Sequence, residues 1–118
     1  MAEPADNLLS SAKRARSQEA GEDIVLGVLR EHLAEPLAGD PHVKLIESRR
    51  TASGWDLYVY VDEWNLAITR PVAAQIGRAY DALAAACPSA RMSSHVWELS
   101  ERVPPQEPSA GWYTIHQR

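Results

Sequence analysis

The stretch Gly54–Trp64 (GWDLYVYVDEW) constrains the fold more than any other part of the chain. Trp55, Leu57, Val59 and Val61 alternate with Asp56, Tyr58, Tyr60 and Asp62. That period of two is the signature of a half-buried strand, because successive side chains point to opposite faces. One face is purely apolar and needs a layer packed on it; the other combines two tyrosines with two acids. Such a strand is not stable alone, so the rest of the chain must supply partner strands and a covering layer.

The flanking segments supply both. From Glu22 to about residue 37 the pattern is helical: Ile24, Val25, Val28, Leu29, His32 and Leu33 follow the i, i+3, i+4, i+7 spacing of one buried stripe. Pro36 and Gly39-Asp40-Pro41 end it. His42 to Arg49 reads as a strand in which Ile46 breaks strict alternation, and the polar Arg50–Gly54 loop turns it into the central strand. Thr69 is the expected N-cap of a second, Ala-rich helix with Pro71 in its first turn. Its stripe is Val72, Ile76, Ala79, Tyr80, Leu83 and Cys87, and Pro88 closes it. Arg91–Leu99 and Gly111–His116 read as a third and a fourth strand, separated by a Pro-rich loop from Ser100 to Ala110.

The predicted order is helix, strand, strand, helix, strand, strand. It implies an α+β fold in which a four-stranded antiparallel sheet, in spatial order 3-4-2-1, carries two helices on one face, as in a permuted ferredoxin-like sandwich. Residues 21–118 form the single domain. Residues 1–20, with few large apolar side chains and a small basic cluster at Lys13, Arg14 and Arg16, are expected to be a flexible or short helical arm.

Composition narrows the function. Phe is absent while there are four Trp and four Tyr, so the large aromatics nearly all carry a polar handle suited to a boundary between core and surface. A net charge of −4 argues against nonspecific attraction to nucleic acid. Cys87 is the single cysteine, which excludes an intramolecular disulfide and a thiolate zinc cluster. No run matches a membrane span or a signal peptide, and a cytoplasmic protein is expected. There is no Gly-rich phosphate loop, no G-x-S-x-G elbow and no H-E-x-x-H pair, so no catalytic constellation, cofactor or metal site is expected.

What remains is the open sheet face. Tyr58 and Tyr60 share it, and the third strand offers His95 and Trp97. The fourth strand offers either Thr114 and His116 or Tyr113 and Ile115, because its phase is not fixed by pattern. Clustered Tyr and Trp are the usual composition of a protein interface. The expected function is therefore non-enzymatic protein–protein contact, with this chain itself (a homodimer or larger) or another protein as partner. Tyr58, Tyr60, Trp97 and His95 form the expected binding face, and Trp64 and the Ser100–Ala110 loop its rim. One alternative is a homodimer enclosing a small-molecule pocket, with His95 or Asp56 as a general base. Another is stacking on single-stranded nucleic acid, which Asp56 and Asp62 would oppose.

A strand ending Val61-Asp62-Glu63-Trp64 just before an Ala-rich helix resembles the small tail-terminator or tail-completion proteins of phages, over about residues 22–116. Those proteins form rings without doing chemistry, so the resemblance implies an assembly role.

Overall fold

The computed structural model describes residues 21–103 and 111–118; the expected N-terminal arm and residues 104–110 of the Pro-rich loop lie outside the described residues. The elements are α1 (21–37), β1 (Val43–Arg50), β2 (Trp55–Val61), α2 (Leu66–Ala86), β3 (Met92–Glu98) and β4 (Trp112–Gln117). A 3₁₀ turn, Leu99–Glu101, follows β3. The chain is thus a small α+β domain with the expected order of elements. No helix among the described residues is long and apolar enough to cross a membrane.

Helix α1 runs through Pro36 instead of ending before it. It does so by widening: Arg30–Ala34 is a π-helical segment, closed by a last α turn, Glu35–Leu37. A proline ring collides with the carbonyl four residues back and leaves it without its usual donor. Here that carbonyl is His32 O, and the Gln75 amide of α2 donates to it at 2.5 Å. The orphaned group has become a bond between the helices. Along α1, Val25, Leu26, Val28, Leu29, Leu33, Ala34 and Leu37 are buried, while Ile24, expected inside, is exposed. Asp40 then stops the chain, its carboxylate accepting from the His42 amide at 2.9 Å.

Helix α2 starts one turn earlier than expected. Its N-cap is Asn65, whose side chain accepts from the Ile68 amide at 3.0 Å, so Thr69 is buried inside the helix and Pro71 lies in the second turn. The apolar faces of α1 and α2 meet Val43, Ile46, Trp55, Leu57, Val59 and Val61 in one core. The four alternating residues of β2 all lie in it, as the sequence pattern requires.

The sheet is mixed and its order is β3-β2-β1-β4, which corrects the expected antiparallel 3-4-2-1 arrangement and its ferredoxin-like label. The β1–β2 hairpin forms as expected. Helix α2 then carries the chain to β3, which lies parallel to β2 and pairs with it directly. β4 pairs antiparallel with the far edge of β1. β3 and β4 are therefore opposite edges of the sheet, not a hairpin. The physical reason lies in what β4 buries: the Tyr113 ring lies tilted against Trp55 with ring centroids 5.9 Å apart, and Tyr113 and Ile115 pack against the core. Beside β1 these side chains extend the core along its outer edge.

Two glycines hold the ends of the strands together. A Cβ on Gly54 would lie 2.4 Å from Arg91 O, and Gly111 has φ +102° with Arg50 O 3.2 Å from the same imagined atom. Both sites need close backbone approach that only glycine permits.

Candidate interaction surface

A bulge between Val43 and Leu45 sets the face of β1, which is why Ile46 breaks alternation. Val43 and Ile46 point to the helices, and Leu45, Glu47 and Arg49 share the other face with Tyr60, Tyr58 and Asp56. On β3 the parallel register sets His95 beside Tyr58 and Trp97 beside Tyr60. The four expected residues of the open face are thereby brought together.

Tyr58 is the centre of the cluster. Its ring lies 5.1 Å from His95, stacked, 5.5 Å from Trp97, 5.7 Å from Trp112 and 6.3 Å from Tyr60. Offset and tilted contacts at these separations each add about 0.5–1.5 kcal/mol beyond area burial. Trp112 is the member that sequence reasoning missed. It leads β4 and is registered with Arg49, whose guanidinium lies 5.5 Å from its ring centre. The same register puts Thr114 beside Glu47 on this face, and a bulge then sets His116 opposite Ile46 on the helix side. The His116 Nε2 atom is buried there without a hydrogen-bond partner among the described residues. His95 and His116 sit on opposite edge strands and do not meet. Among the described residues no three His, Cys, Asp or Glu side chains converge on a common point.

The face is not uniformly open. After β3 the chain turns onto it: Arg102 Nε donates to Glu47 Oε1 at 2.5 Å, and the guanidinium sits 6.0 Å from the centre of the Tyr60 ring. Tyr60 is only 4% exposed and Glu47 only 5%. The expectation that Tyr60 forms part of an exposed contact face is therefore corrected; it is a floor beneath Arg102. Desolvation, with Asp56 adding to it and Arg49 opposing it, holds the Tyr58 hydroxyl above the usual tyrosine pKa. Burial beside Glu47, opposed by Arg102, does the same for Tyr60. The hydrogen bond to Glu47 raises the Arg102 pKa further, so its guanidinium stays charged throughout the physiological range.

What stays exposed gathers at one end of β3. Trp97 is 40% exposed and Trp64 53%, and the two line a shared hollow with Val96 and Glu101. Leu66, Leu99 and Val103 are further exposed apolar side chains in the segments that follow β2 and β3. The Trp64 amide donates to the Glu98 carboxylate at 3.3 Å, which ties the β2–α2 connection to the end of β3. Trp64 thus lies beside the end of β3. At that same end of the sheet His42 Nδ1 lies 3.0 Å from Asp62 Oδ1.

At the other end, residues of α1, the β1–β2 hairpin and the segment after α2 line a hollow of about 370 Å³, including Glu22, Arg50, Cys87 and Arg91. An ion pair between Arg50 and Glu22 crosses its wall. The chain matches no protein-family model, and no curated protein matches it.

Proposed function

We propose that this chain is a non-enzymatic protein-contact module that self-associates through the exposed rim of its aromatic face, where Trp64 and Trp97 flank the end of β3. The observation that carries this reading is that Trp64 and Trp97, both exposed, line one hollow, with exposed Leu99 and Val103 following in the chain. Grouped apolar side chains of this kind mark contact sites, and Trp is the residue most enriched among those that dominate binding energy. The neighbouring rings of Tyr58 and His95 hold Trp97 in a fixed orientation, which lowers the entropy lost on docking. His95 packs by stacking on Tyr58, and no carboxylate among the described residues bonds to its ring, so the arrangement favours a contact surface over a general base.

The test is the solution mass of the wild type and of the Trp64→Ala, Trp97→Ala double variant, by light scattering across a concentration series. Both residues are exposed, so the variant should keep its fold by circular dichroism. Assembly of the wild type and its loss in the variant are expected. An assembly unchanged by removal of both indoles would refute the reading.

A further inference from the structure

β3 is an edge strand without the usual protection. Edge strands of monomeric proteins carry charges, prolines or bulges that block pairing with another chain. Met92–Glu98 has one charge, at its last residue, no proline, and an unbroken register against β2. The opposite edge differs, since β4 carries a bulge.

The direction of its free groups follows from two hydrogen bonds. The Trp55 amide donates to Arg91 O at 2.7 Å, so the odd-numbered residues of β3 turn their backbone groups toward β2 and the even-numbered ones turn theirs outward. Met92 agrees: its carbonyl accepts from the Tyr80 hydroxyl at 2.8 Å. Ser94 and Val96 therefore present their N–H and C=O groups at the edge, with no partner among the described residues.

We infer that β3 pairs antiparallel with β3 of a second copy, about a two-fold axis at His95, joining the two four-stranded sheets into one. This rests on the contact-module reading above and names its geometry. Centring the pair on His95 overlaps the whole strand, and in that register the sequence is self-complementary. Ser94 faces Val96 of the second copy as a hydrogen-bonded pair, each using the groups it turns outward. Ser93 faces Trp97 of the second copy on the aromatic side, where a serine leaves room for the exposed indole. Glu98, the one charge of the strand, lies opposite Met92 of the second copy at each end of the ladder, so no like charges face one another. The two aromatic faces become continuous through His95 and its mate.

Cross-linking reads the register. In a Cys87→Ser background, His95→Cys sets two thiols on a pair that is not hydrogen-bonded. The Cα separation there is about 4.5 Å, within the disulfide range of about 4.4–6.8 Å. Cross-linking under mild oxidation is expected for His95→Cys but not for Trp97→Cys alone, and mixing Ser93→Cys with Trp97→Cys should restore it. Independently, Ser94→Pro removes an outward N–H from each copy without touching the β2 ladder. It should weaken association by about 50–100-fold with an unchanged circular dichroism spectrum. Should that variant not fold, the cross-linking decides alone. A wild type that stays monomeric, or thiols at 95 and 97 that cross-link equally, would overturn the inference. If removal of Trp64 and Trp97 abolishes assembly while His95→Cys forms no cross-link, edge pairing falls and the contact-module reading stands. A monomer that binds an added strand-forming peptide along Ser94–Val96 would show the edge to be used by a different partner, and would also overturn it.

Discussion

Arg102→Ala tests whether the chain after β3 is docked on the sheet. The Glu47 side chain is 7% exposed and Arg102 Nε lies 2.5 Å from its carboxylate, so the substitution leaves a charge without its partner. Removing one member of a buried pair costs about 3–5 kcal/mol when the other stays dry. The Arg102 side chain is itself 26% exposed, and its loss would admit water to Glu47. That relief places the expected cost lower, at about 2–3 kcal/mol. For a domain of this size each kcal/mol moves the melting temperature by about 3–6 °C, so a fall of about 6–18 °C is expected by calorimetry. The Glu47→Gln, Arg102→Met double variant keeps the volume and removes both charges. It should lie within about 1 kcal/mol of the wild type, because an ion pair replaced as a unit leaves nothing unpaired. A single variant within about 0.5 kcal/mol of the wild type would refute the reasoning, because a surface substitution costs that little. Arg102 would then not hold the segment onto Glu47 and Tyr60.

Asn65→Ala removes the α2 cap and should cost about 1 kcal/mol in denaturant unfolding; an unchanged midpoint would move the start of the helix to another residue. Partial desolvation raises the Asp62 pKa, but the His42 hydrogen bond and charge, with Lys44, outweigh it and hold the carboxyl below its ordinary value. Its contribution to stability is therefore present above the ordinary carboxylate range and lost as pH falls through the lowered pKa. NMR titration should show this carboxyl titrating low, and His42→Ala should return it upward; no movement would break the assignment. Tyr58 and Tyr60 have raised pKa values, so the stability tied to their neutral forms is present below about pH 10 and lost as pH rises through the raised values. Tyrosinate absorbance should show late-ionising steps, one lost in Tyr58→Phe and another in Tyr60→Phe; no change in the late steps on either substitution would contradict the packing.

Much of this architecture is legible in the residues, and the misreadings have local causes. The β2 stripe is unambiguous because Trp55, Leu57, Val59 and Val61 alternate with polar or amphipathic neighbours, and the structure buries all four. Asn65 and Thr69 are both good caps; Pro71 pointed to Thr69 because proline is best tolerated in a first turn, yet α2 accepts it in the second. In α1, Ile24 and Leu26 flank the stripe of Val25, Val28 and Leu29 on either side, so a 3.6 period does not choose between them; the structure buries Leu26. The phase of β4 is undecidable from WYTIH, which has aromatic residues on both parities, so the pattern does not place Trp112 beside Tyr58.

The sequence by itself determined the elements, their order, and the two-sided character of the central strand. These depend on side-chain periodicity and on local capping, which involve residues a few positions apart. Only the tertiary structure decided that β3 lies beside β2 and β4 beside β1, because strand pairing joins distant segments whose patterns fit more than one neighbour. The same holds for Arg102 over Tyr60 and Glu47: nothing near Arg102 in sequence marks it, and its partner lies 55 residues away. Which aromatics stay exposed was settled by that crossing, so the chain's most exposed indoles stand at the end of β3 and not at the centre of its sheet.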